Sequence, residues 1–519
     1  MSSALAPKAT RQEWLGLSIL VLPGLVYATD VTALDVALPT ISATLQPSST
    51  QLLWLVDIYG FLLASFLVTM GTLGDRIGRR KLLLFGAAGF SLISCAAATA
   101  TSVNVLIVLR ALLGISAATL APSTMSILRN MFHDDEERQL AIGVWIATIS
   151  GGAILGALMG GLVLQYVSWN FVFLIPVAPM LVVLLLGPSL LPEFRNADSG
   201  RLDLPSVLMS LFCLLPFIQA LKLTAANGLG AWPLSLVVVG LLVGIAFMRR
   251  QSQLAHPLVD LSLFRHPQFT PAIAAYGLAC FAMFGQYVLI AQYLQLVMGL
   301  SPWGAGLATV PCALASAVGS LTAPALVSRS DTRSVLIGGL ITAIAGTLAF
   351  AAGIGHVGLI GTLASVVLFS LGLAFVFAPA YEMIVTSSPP ERSGAAAAIA
   401  ETVSELGGSL GIALLGSLST AIYRRTLFAS LPPGLPEGAA QKAAATIGGA
   451  SATAGTLAPV IGEALLTSAR AAFSTALQFA SLAAAVTIAV ACYVVVRAWR
   501  QTELIASTAT PASTPARIP

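Results

Sequence analysis

Fourteen runs of apolar residues, each near twenty long and joined by short polar connections, dominate this chain. They fall at about 14–38, 52–73, 81–101, 103–128, 140–166, 170–191, 204–223, 232–249, 270–297, 303–327, 333–353, 358–384, 395–423 and 471–497. A run of ~20 residues at 1.5 Å rise is what a helix needs to cross a ~30 Å hydrocarbon layer. Inside that layer each backbone N–H and C=O must find a partner within the protein, which leaves helices or a closed barrel. Runs this long, without strict alternation, read as helices. The composition agrees, since 9% of the residues are charged where soluble domains carry ~25%. The expected fold class is all-α and polytopic.

Orientation follows from the loops, because cytoplasmic connections carry the excess of Lys and Arg. With both termini placed inside, 19 of the 25 basic residues lie on the cytoplasmic face. The net charge of +4 is then a topology signal and implies no nucleic-acid partner. The first span is too long for a cleaved signal peptide and is read as retained. Cys95, Cys213, Cys280, Cys312 and Cys492 all sit in apolar runs without CxxC spacing, and the four histidines lack ligand spacing, so no disulfide framework, metal or cofactor is expected. No glycine-rich phosphate cradle followed by Lys exists, which excludes ATP as the energy source, and no nucleophile or metal constellation marks an enzyme.

The two ends of the chain echo one another. "GISAATLAPSTMSIL" (114–128) resembles "GLAFVFAPAYEMIV" (372–385), and "GGAILGALMGG" (151–161) resembles "GGSLGIALLGS" (407–417). Internal repeats of this kind build many transporters. We therefore expect an N-terminal six-helix bundle (1–192), an inserted two-helix hairpin with cytoplasmic flanking loops (193–268), and a C-terminal six-helix bundle (269–519). A long outer loop over 424–469 is expected to be plain and flexible, with a partly ordered hairpin or short helix as the alternative.

The connection "GTLGDRIGRRK" (71–81) carries the pattern G-x-x-x-D-R-x-G-R-[RK]. On these residues the chain resembles the major facilitator superfamily. The fourteen-span layout, "WLVDIYGF" (54–61), "RALLGISAATLAPS" (110–123) and "HPLVDLSLFRHPQF" (256–269) are similar to its drug:proton antiporter branch with fourteen spans, and within it to exporters of quaternary ammonium compounds and methyl viologen. The resemblance implies the major facilitator fold, arranged as six, two and six helices, in the bacterial inner membrane as a monomer. It implies Gly71, Asp75, Arg76, Gly78, Arg79 and Arg80 as a cytoplasmic gate that holds the two bundles together. Three departures stand out: Asp35 replaces the usual Asn of span 1, Ala157 replaces the usual Pro of span 5, and "SRSDTRS" (328–334) is a degraded copy of the gate motif.

A charge at a helix centre costs about 2.5–3.5 kcal/mol on insertion scales. Asp30, Asp35, Asp57, Glu382, Glu401 and Glu405 nevertheless fall within spans, against one base, Arg110. An acidic interior suits a cation or a proton. In "AETVSELGGSLG" (400–411) the two glutamates lie one helical turn apart, and carboxylates that close repel when both are ionised. One of them is expected to hold a proton and release it when a cation arrives. The resemblance aligns Glu401 with the family glutamate of span 13 and Asp30 with its span 1 aspartate, so Asp30, Asp57 and Glu401 are expected to be the principal carboxylates, with Arg110 and Glu405 tuning them. Asp35 is about 140° around the helix from Asp30 at 100° per residue and is expected to pair with Arg110. A structural ion pair is the competing reading of these residues, an interfacial carboxylate that of Asp57, and a structural position near the helix end is preferred for Glu382. Tyr59, Phe281, Phe284, Tyr287 and Gln286 are candidates for the substrate cavity, where rings can stack on a lipophilic cation.

These features lead us to expect a proton-coupled antiporter that exports lipophilic organic cations by alternating access, with protons as the coupling ion. The competing expectations are a metabolite exporter of the same fold (amino acid, siderophore or lipid precursor) and a passive cation channel.

Overall fold

The computed structural model describes residues 8–194, 203–228, 230–254, 263–266, 268–386 and 393–509, with the side chains of some of these, Asp75 and Glu437 among them, also left undescribed. The membrane-crossing helices of the first half are α1 (Arg11–Leu45), α2 (Ser49–Ile77), α3 (Arg79–Ala97), α4 (Val103–Met131), α5 (Asp135–Tyr166) and α6 (Val177–Leu190). Next come α7 (Leu204–Asn227) and α8 (Ala231–Gln251). The second half has α9 (Phe269–Gln292), α10 (Pro302–Arg329), α11 (Thr332–Gly353), α12 (Gly358–Thr386), α13 (Ser393–Ala429), two short helices α14 (Glu437–Ala445) and α15 (Ile447–Ala454), and α16 (Pro459–Ala509). Twelve of these are long and apolar enough to cross a membrane, and α5 and α7 contain shorter apolar stretches at Gly151–Tyr166 and Pro205–Ala220. Counting those two stretches as crossings makes fourteen, which puts the start of α1 and the described end of α16 on one face, called here the terminal face.

Polar caps set where the helices start. Ser48 accepts from the Gln51 amide while the Gln51 side chain returns to the Ser48 amide, and Ser102 and Asp331 cap α4 and α11 in the same sense. Between α2 and α3 the chain reverses at Gly78, whose φ of 113° only glycine adopts readily. Large apolar side chains point outward all around, among them Leu321 at 81% and Ile360 at 86% exposure. Such a surface is stable only against lipid.

α1 to α6 pack into one bundle; α9 to α13 pack with α16 into a second. Inside each, backbones approach closely at the repeated glycine stripes. A Cβ on Gly156 of α5 would lie 2.5 Å from the carbonyl oxygen of Thr29 in α1. The echo in the second half behaves alike, with Gly407 and Gly411 of α13 pressed on the Gly277 and Phe281 carbonyls of α9. The repeat seen in the sequence is therefore a repeat of helix contacts.

The hairpin straddles the seam between the bundles, because α7 packs on both α2 and α13. The Trp54 indole donates to Gln219 at 2.5 Å, and Ile218 is buried against Phe61 and Ala413. Arg250 closes the hairpin at the terminal face with bonds of 2.6 and 3.0 Å to Asp203, which hold that carboxyl below its ordinary range. α8 faces lipid along nearly all its length.

The connection expected to be a plain loop is not one. α13 runs on to Ala429, and α14 and α15 fold back over the far face, where the Thr446 hydroxyl meets that of Ser42 in α1 at 2.8 Å. Described contacts between the two halves gather on this far side: Gly306 of α10 lies against Ala157 of α5, and Gln295 donates to the Val36 carbonyl at 3.0 Å. Toward the terminal face Tyr381, Glu401 and Thr402 are half-buried.

Candidate functional site

Midway through the membrane a line of polar side chains runs from the first bundle to the second. Its start is Asp30 of α1, 5% exposed, which takes a 2.5 Å bond from the guanidinium of Arg110 in α4, 1% exposed. This corrects the expected Asp35–Arg110 pair. Asp30 and Asp35 point to different sides of α1, and the side facing α4 at the depth of Arg110 is that of Asp30. The guanidinium also lies 4.4 Å from the ring centre of Tyr59 in α2, within range of a cation–π contact. Tyr59 stacks on Tyr27 of α1 with centroids 6.4 Å apart, and the Tyr27 hydroxyl donates to Glu405 Oε1 of α13 at 2.5 Å. Burying Arg110 without Asp30 would strand a charge, whereas pairing neutralises both, although Arg110 Nε stays buried without a hydrogen-bond partner.

A cavity opens beside this line between the bundles. Asp35, Asp57, Tyr27, Tyr59, Arg110, Phe284 and Glu405 all line it, with Val31, Leu34, Val56, Val288 and Ile412 as its apolar wall. The lining thus holds three carboxylates and one base, and the base is already committed to Asp30. Asp57 is 1% exposed. Gly60 of α2 permits the approach of α13, since a Cβ there would meet the Ser409 hydroxyl at 2.5 Å and Glu405 Oε2 at 3.6 Å. Pro39, four residues beyond Asp35, removes the amide that would bond the Asp35 carbonyl and so loosens α1 at the cavity's upper wall. Just beyond the same level α9 makes a π-helical turn at Tyr293–Val297, which turns Gln295 toward Val36.

Not every candidate meets the cavity. Glu401 lies one turn from Glu405 toward the terminal face, within electrostatic reach of Tyr276 and Tyr381, and does not line it. The Phe281 ring packs into the core of the second bundle. Tyr287 bonds the Ser370 hydroxyl at 2.5 Å and faces Phe369, which also places it in that core. Gln286 is buried with neither amide atom bonded, away from the cavity. Glu382 is exposed. Among the described residues no cluster of His, Cys, Asp or Glu is suited to hold a metal.

The terminal-face motif makes its described contacts within the first bundle. Arg80 donates to the carbonyls of Pro188 and Leu191 at 3.1 and 2.8 Å, and Arg79 to that of Pro122 at 3.3 Å. Gly71 faces Pro122 of α4, and Arg76 is exposed. Glu193, just past α6, accepts from the amides of Arg80 and Lys81 at 3.0 and 3.2 Å, seated over Gly78 where any side chain would collide with it. A carboxylate at the start of α3 is well placed against the helix dipole. The Asp75 side chain lies outside the described residues.

Sequence reasoning missed Tyr27 and Glu193. Tyr27 had a signal: it stands three residues before Asp30, on the same helical face, in a run otherwise free of hydroxyl-bearing rings. Glu193 had none, because its role depends on where α6 ends relative to the α2–α3 turn.

Comparison with known proteins agrees with this geometry. The family model described as Major Facilitator Superfamily matches residues 20–412. The chain is 40% identical over 498 residues to the multidrug efflux pump LfrA of Mycolicibacterium smegmatis, covering 95% of this chain and 98% of that protein. It is 35% identical over 464 residues to the methyl viologen resistance protein SmvA of Salmonella typhimurium, covering 89% and 93%. Among solved structures, a bacterial homolog of the human lysosomal transporter Spinster, in an inward-facing and occupied conformation, superposes with a TM-score of 0.64 at 18% identity, covering 95% of this chain and 98% of that one.

Proposed function

This chain belongs to the Major Facilitator Superfamily, a family of membrane transporters and not of enzymes, and from that premise we propose that it exports lipophilic organic cations in exchange for protons. The observation that carries the reading is the cavity lined by Asp35, Asp57 and Glu405, with Arg110 held by Asp30. Its excess of carboxylate over base favours positive charge, and its walls of Val, Leu, Ile and Phe favour an apolar body around that charge. The names of the relatives, a multidrug efflux pump and a methyl viologen resistance protein, support cargo of this class.

Exchange follows from competition for the same oxygens. In the empty protein one or more of the three carboxylates holds a proton, since three negative charges in one small space repel. An organic cation entering from the cytoplasm displaces protons and takes their place. The bundles then rock about the cavity, the cation leaves to the far side, and protons return to the acids. Both termini lie in the cytoplasm, the membrane is the bacterial inner membrane, the working unit is the monomer, and the proton is the coupling ion with no further cofactor. The motif from Gly71 to Arg80 serves as the inner gate by fixing the α2–α3 turn to α6 through Glu193.

The test is ethidium or tetraphenylphosphonium transport in proteoliposomes under an imposed proton gradient of either sign. Accumulation on the side that supplies the protons, reversed when the gradient is reversed, is expected. Flux that ignores the gradient would favour a channel, and competition by neutral metabolites but not by quaternary ammonium compounds would favour a metabolite exporter.

A further inference from the structure

The charged cavity does not end at its acids. A second chamber adjoins it toward the far face, with Val56, Val288 and Ile412 as a common wall. Its own sides are Leu52 and Leu53 of α2 and Leu289 of α9, and Ile447 of α15 stands at its far end. No acidic or basic residue lines it. Three of its larger polar groups are turned to partners within the protein: Tyr423 donates to the Ala443 carbonyl at 2.9 Å, Thr446 is bonded to Ser42, and Gln292 leans on the Val288 carbonyl at 3.4 Å; the small hydroxyls of Ser49, Ser419 and Thr420 complete the polar lining. Along α2 and α13 the chamber spans about 10–16 Å beyond the acids, by a 1.5 Å rise per residue.

A compact ion with its charge among the acids would leave this space unused. We propose that the second chamber is a tail subsite: the transporter takes amphiphilic monocations head first against Asp35, Asp57 and Glu405, with a single alkyl chain extended toward α15. The proposal deepens the cation-export reading and rests on it. The shared wall sets the two spaces side by side, and in this reading the alkyl chain passes between them along Val56, Val288 and Ile412, so head and tail need no separate entrance. The order also suits release, because opening of the far side frees the tail before the head meets protons.

The test uses the full-length protein in detergent and the alkyltrimethylammonium series from tetramethylammonium through octyl to dodecyl, competed against ethidium fluorescence. Leu53→Trp and Thr420→Phe fill the chamber from two half-buried positions, so that one remains informative if the other misfolds. Each methylene buried in the wild-type chamber tightens binding by up to about fourfold. The ratio of variant to wild-type dissociation constants is therefore expected to stay near one for tetramethylammonium and to climb to roughly tenfold or more for dodecyltrimethylammonium, the loss of about two buried methylenes. Partition of the long chains into micelles cancels in that ratio. A ratio independent of chain length in both variants would overturn the tail subsite while leaving cation export standing. Failure of wild type to bind ethidium and every member of the series would overturn both.

Discussion

Replacing one partner of the Asp30–Arg110 pair should harm the protein far more than replacing both. The pair is 5% and 1% exposed with a 2.5 Å contact. At an effective dielectric near 20, two unit charges at that separation attract by about 6–7 kcal/mol. Against this stands a desolvation cost of several kcal/mol for each ion. The two nearly cancel, so Asp30→Asn with Arg110→Gln should lie within about 1 kcal/mol of wild type, whereas either change alone leaves a bare buried charge and costs about 3–5 kcal/mol. One route lowers the cost of Asp30→Asn: Arg110 already lines the cavity with Asp35 and Asp57, and can turn to either. Stability would then be partly rescued, but transport would fall because a cavity carboxylate is neutralised. The assay is reversible unfolding of the purified variants in mixed micelles, analysed as a double-mutant cycle, beside ethidium efflux in the same proteins. A coupling energy near zero would refute the pairing, and intact efflux in a stable Asp30→Asn would refute the role given to the carboxylates that line the cavity.

Other consequences can be checked separately. Tyr27→Phe removes the donor to Glu405; a hydrogen bond to a charged group is worth about 1.5–3 kcal/mol, so proton-driven dye exchange should slow by roughly tenfold or more, with ligand-free melting little changed. Glu405→Gln should abolish exchange while Glu401→Gln, away from the cavity, leaves at least part of it, as read in proteoliposomes. Gly156→Val should destabilise the first bundle by at least about 1–3 kcal/mol through overpacking on Thr29, whereas Gly151→Val, with nothing within 4 Å of its Cβ, should be tolerated in thermal melting. The Asp203 carboxyl is held below its ordinary range by Arg250, so its stabilising bond is present at neutral pH and is lost only as pH falls below about 4, the unperturbed value; hydrogen exchange over 203–251, corrected for intrinsic rates, should rise in that window.

The spans were legible because the bilayer fixes both length and composition, and the glycine stripes because only small residues let two backbones meet as Gly156 and Thr29 do. The chain order of the buried charges was legible too. Their partners were not. Choosing between Asp30 and Asp35 for Arg110 requires the rotation of α1 against α4, which no periodicity within α1 contains. Choosing between Glu401 and Glu405 requires depth: the two share a face, and only the placement of Tyr27 on another helix distinguishes them. The helices α14 and α15 were hidden for a different reason. Segments of nine and eight residues are too short to hold helix on their own, and their Ala- and Gly-rich composition resembles a linker until the surface of α1 beneath them is known.

The interface between the halves explains how a small cargo can move so large a structure. Within each bundle the contacts are backbone against backbone, as at Gly156–Thr29 and Gly411–Phe281, and these cannot shift by a little without colliding. Between the bundles the described joins are of two kinds: backbone against backbone at Gly306–Ala157 on the far side, and single side-chain bonds at Tyr27–Glu405, Gln295–Val36 and Ser42–Thr446. Each of those bonds is worth about 0.5–3 kcal/mol, so moving the bundles as rigid bodies means exchanging a few bonds and parting the α5–α10 contact. Carrying such an equilibrium from one side to the other, from 1:99 to 99:1, takes about 5.5 kcal/mol of differential binding. One cation–carboxylate contact at 4 Å supplies about 4 kcal/mol at an effective dielectric of 20, which falls short. Two contacts exceed it. A cation that engages Glu405 of the second bundle together with Asp35 or Asp57 of the first therefore has enough energy to bias the rocking, and one that reaches a single acid does not; this is a physical reason for acids on both sides of the cavity.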